Sequence, residues 1–227
     1  MEEFKLPKLI DCINNRRSTR AFIKDKEIEN KLLTTIITHT TRAPSWKNIQ
    51  GYRLIAISGA RKVKLCEKLS KQASSRIEPY PEVPFDSNNP SYIKRRAFNS
   101  SMSLYKHLGI NRKDKDAREH HTMKNFHGYD APTLIFCYLP KSLASWAILD
   151  LGILLGHLVL VCEMYGLGTC LQASLASYPE IVREFTEAND SEKLMVGLSI
   201  GYPDTNSIEN TFKSERQLIG EIFQNLY

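Results

Sequence analysis

Leu194-Met195-Val196-Gly197-Leu198-Ser199-Ile200-Gly201-Tyr202 alternates without a break. Val196, Leu198 and Ile200 fall on one face, and Gly197, Ser199 and Gly201 on the other, which is the period of a strand. A face that small lets a helix or a ring approach closely. Upstream, Ser177-Tyr178-Pro179-Glu180 has the form of a capping box with proline in the first turn, opening a helix to about Glu187. A short strand is expected at 169–173. Gly166-Leu167-Gly168 then marks the end of a long buried helix, Trp146 to Tyr165. On it, Gly152 and Gly156 would present a flat surface matching the small face of the strand.

Pro132 opens another strand, Thr133 to Leu139. Tyr52 to Ser58 is a further one, followed by a helix from Arg61 to Gln72 with Leu65 and Leu69 inward. Leu6, Leu9, Ile10 and Ile13 recur at helical spacing, as do Ile28, Leu32, Leu33, Ile36 and Ile37. Residues 78–92 hold four prolines and read as a loop. A basic helical segment from Tyr92 to about Phe126 comes next. The tail carries a second capping signature, Ser214 to Gln217, before Leu218, Ile219, Ile222 and Phe223. The strands at 52–58 and 133–139 are separated by about 75 residues. No regular strand–helix–strand repeat occurs, so a doubly wound sheet fits poorly and a mixed α+β fold fits better.

The bulk numbers narrow the class. With 42% hydrophobic and 25% charged residues over 227 positions, the chain can bury a sizeable core. No signal peptide is visible, and the apolar run Leu151–Cys162 reads as core helix, so no membrane partner is expected. Five cysteines without a CxxC pair suggest reduced thiols and a cytoplasmic setting. The formal charge of +6 sits in residues 92–127, where nine Lys/Arg face three acids, while the remainder balances at 22 of each sign. His107, His120, His121 and His127 with Asp116 match no standard metal spacing and are expected in solvent, with no metal. No GxGxxG or GxxxxGK[ST] loop is present.

Two stretches carry chemistry. Arg16-Arg17-Ser18-Thr19-Arg20-Ala21-Phe22 packs guanidinium forks and hydroxyls together, a donor set suited to phosphate. Ala43-Pro44-Ser45-Trp46-Lys47-Asn48-Ile49-Gln50 is rich in amides and hydroxyls. By spacing alone the first is more often a solvated loop, and Ser45 and Asn48 also suit a turn. The ordered combination reverses both readings.

RRSTRAF (16–22), APSWKNIQ (43–50), DLGILLGHLVL (150–160), YGLGTC (165–170) and GLSIGYPD (197–204), in that order, resemble the nitroreductase family of FMN enzymes. The resemblance runs from about Asn14 to Phe223, and the insert before APTLIF, with LGTCLQASLASYP, looks like the nitrobenzoate-reductase branch. It implies a mainly antiparallel mixed sheet flanked by helices in an α/β/α sandwich, one domain over 1–227. Within it lie a basic helical insert at about 76–130 and a C-terminal exchange tail at about 203–227. It implies an intertwined homodimer with FMN at the interface. Arg16, Ser18 and Arg20 would contact FMN, with Arg17 adjacent: Arg16 at the phosphate, Arg20 near the pyrimidine edge. Lys213 and Arg216 would complete the phosphate site. Pro44, Ser45, Asn48 and Gln50 would come from the partner subunit, and backbone N–H groups around Gln172 and Ala173 would face flavin N5. NADH or NADPH would reduce the flavin, which would then reduce a planar electron-poor acceptor such as a nitroaromatic. No protein catalytic residue is required. Arg95, Arg96 or Arg112 would meet a substrate carboxylate.

Two departures stand out. Many relatives read QPW where this chain has Gln50-Gly51-Tyr52, and their Asn/Lys pair near the flavin carbonyls has no identifiable counterpart. Within the family, dehalogenation and dehydrogenation are alternatives. Outside it, the rival is a nucleic-acid-binding module using the basic insert, which the interspersed acids and the neutral remainder disfavour.

Overall fold

The computed structural model describes residues 7–85, 88–143 and 145–226; Leu6 lies outside them. Four strands form one sheet in the order β1-β2-β4-β3, every neighbouring pair antiparallel. β1 is Arg53–Ser58, β2 Thr133–Pro140, β3 Gly168–Gln172 and β4 Glu192–Gly201, close to the four expected stretches.

β2 lies at the centre and feeds two cores. Ile135, Cys137 and Leu139 pack on one side with Leu198 and Ile200 of β4, while Leu134, Phe136 and Tyr138 pack on the other. An antiparallel sheet often leaves one face to water; here both are covered, which is why β2 reads as an apolar run and not as an alternation. The first face is covered by α2 (Asn30–Thr40) and α6 (Trp146–Met164). The second is covered by α3 (Gly59–Ser74), α7 (Pro179–Thr186) and short 3-10 turns at Lys124–Asp130 and Ala173–Ala176. Leu65, Leu69, Leu134 and Leu154 are fully buried. Each such side chain contributes about 1.5–3 kcal/mol of hydrophobic stabilisation.

Where the sequence reading and the structure differ, the cause is local. The small face of β4 takes a 3-10 turn and two rings, as its shape allows, but not α6: Leu175 fills the space over Gly197, and Pro132 and Phe22 that over Gly201. Gly152 and Gly156 lie on the opposite, open side of α6 with nothing near their Cα hydrogens. α6 is also buried on one side only. Leu151, Leu154, Leu158 and Cys162 face the core, while Trp146, Ile148 and Leu149 are each more than 50% exposed. The helix has 19 residues and a mean hydropathy of 2.0, long and apolar enough by composition to cross a membrane, unlike the shorter run Leu151–Cys162. α1 (Leu9–Asn15) packs beside it through Cys12 and leaves Leu9, Ile10 and Ile13 outward.

Neither capping box forms. Ser177 continues the preceding turn, its N–H donating to the Ser174 carbonyl (3.2 Å), so Tyr178 flanks α7 and only the proline at its start is as expected. The Ser214 hydroxyl accepts from Arg216 Nη1 at 2.7 Å, and the tail helix α8 is the single turn Ile219–Ile222. The basic segment is two helices, α4 (Ser91–His107) and α5 (Lys115–Met123), separated near Gly109 at φ +69°. His121, expected in solvent, is buried at 6% exposure between Tyr105 and Tyr129.

Candidate functional site

The 16–20 loop leaves α1 and runs along β3, the edge strand. Ser18 forms an isolated parallel bridge with Thr169, and the Thr19 N–H donates to the Thr169 carbonyl at 2.9 Å. Contact this close requires Gly168, because a Cβ there would strike the Thr19 side chain. From the other side Asn210 clamps the loop. Its Oδ1 accepts from the Arg20 N–H (2.8 Å), its Nδ2 donates to the Ala21 and Asp204 carbonyls (2.7 and 2.9 Å), and its carbonyl accepts from Arg17 Nη1 (2.9 Å).

Two adjoining clefts open over this loop. One, of about 290 Å³, takes in Arg16, Arg17, Ser18 and Arg20, together with Ser100 and Ser101 of α4 and Arg216 of the tail. The other, of about 350 Å³, shares Arg16, Arg17 and Arg216 and adds Lys213. Among the described residues no carboxylate lines either. Glu163 lies near the arginines at the end of α6; burial raises its carboxyl pKa, while Arg17 and Arg16 pull it down. Guanidinium forks, an ammonium and hydroxyls lining clefts without acids form a donor set suited to a phosphate-sized anion.

A third cleft, of about 260 Å³, lies on the other side of Arg20, against Lys124, Tyr129 and Asp130. Lys124 pairs with Glu209 at 2.7 Å. At the end of β3 the Gln172 side chain turns inward: its Nε2 donates to the Asn125 carbonyl at 2.9 Å, and its Oε1 accepts from the Ser199 hydroxyl. Ala173 follows it at the surface.

A nitroreductase family model matches residues 13–202. The chain belongs to the nitroreductase family. It is 28% identical to a 4-nitrobenzoate reductase of Pseudomonas putida, over 91% of this chain and 90% of that one. It is also 28% identical to nitroreductase NfnB of Mycolicibacterium smegmatis, over 92% and 88%. Among solved structures, the FMN and NADPH-dependent nitroreductase NfnB of Sphigopyxis sp. strain HMH superposes with a TM-score of 0.93 at 26% identity, covering 97% and 100%. The FMN-dependent NfnB of Mycobacterium smegmatis, in complex with NADPH, gives 0.89 at 25% identity, covering 97% and 100%.

Against this nitroreductase frame, Arg16, Arg17, Ser18, Arg20, Lys213 and Arg216 converge on one place. Pro44, Ser45, Asn48 and Gln50 do not line these clefts. They sit on a separate loop, pinned to α6 by the Trp46 N–H donating to Asp150 Oδ1 (2.9 Å). That loop is shaped by its own contacts, the Gln50 N–H on Ser45 Oγ (3.1 Å) and Gln50 Nε2 on Asn48 Oδ1 (3.0 Å). Of the insert arginines only Arg96 is adjacent, in a narrow cleft with Ser100, Phe212 and Ser214, paired with Glu221 at 3.3 Å. Arg112 lies over Phe98 (5.3 Å), and neither it nor Arg95 lines these clefts. Asn210, Lys124, Asn125 and Tyr129 were not singled out by the sequence; the fold brings Asn210, Lys124 and Tyr129 beside Arg20, and Asn125 behind Tyr129.

Proposed function

We propose that the chain is an FMN-dependent NAD(P)H oxidoreductase acting on planar, electron-poor aromatics such as nitroaromatics, and that it works as a cytoplasmic homodimer. The observation that carries this is the cation cluster around the 16–20 loop, opening into two clefts that no described carboxylate lines and set against β3 in a nitroreductase fold. Its donors fit a flavin phosphate. Arg16, Lys213 and Arg216 would hold the phosphate, and Arg17 would brace the loop through Asn210. Arg20 would place its charge at the pyrimidine edge, and the backbone at Ala173 would face the centre of the ring. When bound, FMN supplies two-electron transfer between a reduced nicotinamide and an aromatic acceptor.

The chain's own part is binding and electrostatics. A fixed cation beside a ring that gains negative charge on reduction favours that charge without reorganisation. No side chain need carry a proton to the acceptor, since the clefts are open to water. We assign Pro44, Ser45, Asn48 and Gln50 to the partner's site, because in their own chain they lie apart from the arginines. Arg96 is the insert residue we assign to an acceptor carboxylate. The organisation we propose is one domain carrying the α4–α5 insert. The expected exchange tail from 203 is corrected, since through Arg216 it packs on its own chain, and only the exposed Leu218, Ile219, Ile222 and Phe223 beyond it would meet the partner.

The test is an absorption spectrum of the purified protein followed by anaerobic addition of NADPH, then NADH. Flavin bands that bleach, and that return when 4-nitrobenzoate is added, support the reading. A colourless protein that cannot be reconstituted with FMN sinks it.

A further inference from the structure

Arg20 lies across a cleft from a largely buried chain of polar groups that leads to the sheet. It lines the same cleft as Tyr129, which is only 6% exposed. The Tyr129 hydroxyl donates to Asn125 Oδ1 at 3.1 Å. Gln172 Nε2 donates to the carbonyl of Asn125 at 2.9 Å and to its Oδ1 at 3.3 Å, and the Ser199 hydroxyl donates to Gln172 Oε1. The chain therefore runs from the cleft that Arg20 lines, through the base of the insert, to the end of β3 and on to β4.

The backbone is bent to build it. Gly128, Tyr129 and Asp130 have φ of +60°, +53° and +62°. Only glycine takes up this left-handed region freely, yet here a tyrosine and an aspartate follow it there. A Cβ on Gly128 would press into Leu134 and Ser199, so the turn cannot slide. Strain of this kind persists where the surroundings over-determine it, and it collects at working sites.

We propose that Tyr129 is a positioning residue, which holds the Arg20 guanidinium at the edge of the cofactor ring and ties it through Asn125 and Gln172 to the end of β3. The inference rests on the FMN reading above. Among the described residues the Arg20 guanidinium makes one side-chain hydrogen bond, a long one of 3.4 Å to the Ser18 carbonyl, so its place in the cleft is set by what faces it there. Burial raises the Tyr129 hydroxyl pKa to about 12 against the pull of Arg20, so the group stays neutral. Its proton is committed to Asn125, which leaves its oxygen lone pairs to accept from the guanidinium. With that acceptor removed, Arg20 would swing in the open cleft and favour the reduced, negatively charged ring less.

The test compares FMN-loaded wild type with Tyr129→Phe by spectroelectrochemistry. A tenfold loss of preference for the reduced form lowers the two-electron midpoint potential by about 30 mV, and a fall of that order is expected. In an Arg20→Lys background the same substitution should add little, because its effect passes through the guanidinium. Tyr138→Phe removes another buried hydroxyl, bonded to Thr186 at 2.7 Å on α7, and should leave the potential unchanged. Asn125→Ala is the second probe and should lower the potential in the same direction. Potentials of Tyr129→Phe and Asn125→Ala equal to wild type, or a full Tyr129→Phe shift persisting in the Arg20→Lys background, would overturn the inference. A wild type that takes up no FMN overturns the cofactor reading as well, and the first spectrum separates that case from the others.

Discussion

Gly168 and Asn210 do for the arginine loop what its own sequence cannot. Arg16-Arg17-Ser18-Thr19-Arg20 has no internal device to hold three like charges together; β3 supplies the edge and Asn210 the clamp. Gly168→Ala would drive a methyl into Thr19 and push the loop off that edge. Overpacking of this kind costs about 1–3 kcal/mol. The expected outcome is a folded protein whose FMN dissociation constant, read by flavin fluorescence, rises at least tenfold. Asn210→Ala leaves the Arg20 N–H without a partner and takes one of two donors from each of the Ala21 and Asp204 carbonyls. It is expected to lower unfolding free energy by about 2–3 kcal/mol in urea denaturation. The arginines were legible in the sequence because their side chains themselves make the site. Asn210 was not, because a tail asparagine looks like any turn residue until the fold brings it to Ala21. Tyr129 was hidden for the same reason, in a short stretch whose φ values no composition announces.

At the level of elements, periodicity located the strands and most helices within a residue or two, because each buries a defined face. Capping signatures failed because they record what a hydroxyl can do, not what it does. Arg216 occupies the Ser214 hydroxyl, and Ser177 belongs to an earlier turn. Helix α5 shows a further consequence of burial. His121 lies against Tyr105 and Tyr129, and burial lowers its pKa. Glu209 opposes that shift, while Lys124, Arg20 and His120 add to it. The unfolded chain takes up a proton near pH 6.5 that the folded one refuses until lower pH. The stability His121 contributes is therefore complete above about pH 6.5 and declines as pH falls toward its folded pKa. His121→Phe should flatten the slope of unfolding free energy below about pH 6.5.

Seen whole, the described chain leaves apolar side chains exposed on both α1 and α6. Leu9, Ile10, Ile13, Trp146, Ile148 and Leu149 are each roughly half exposed beside bare Gly152 and Gly156. Exposed apolar surface of this extent marks an interface. Sedimentation should give a dimer, and Gly156→Trp, which fills the flat part of α6, should shift it to monomer. FMN should leave with the partner, since the 44–50 loop would no longer arrive. A different consequence follows from the five cysteines, all of them free and buried. Burial raises every one of their pKa values, to about 11 for Cys66 and Cys170 and about 12 for Cys137. Since the thiolate is the reactive form, a colorimetric disulfide reagent should find almost nothing to attack in the native state. The thiols therefore act as a built-in clock. Under excess reagent, all should be labelled in a single phase, at a rate set by how often the molecule opens.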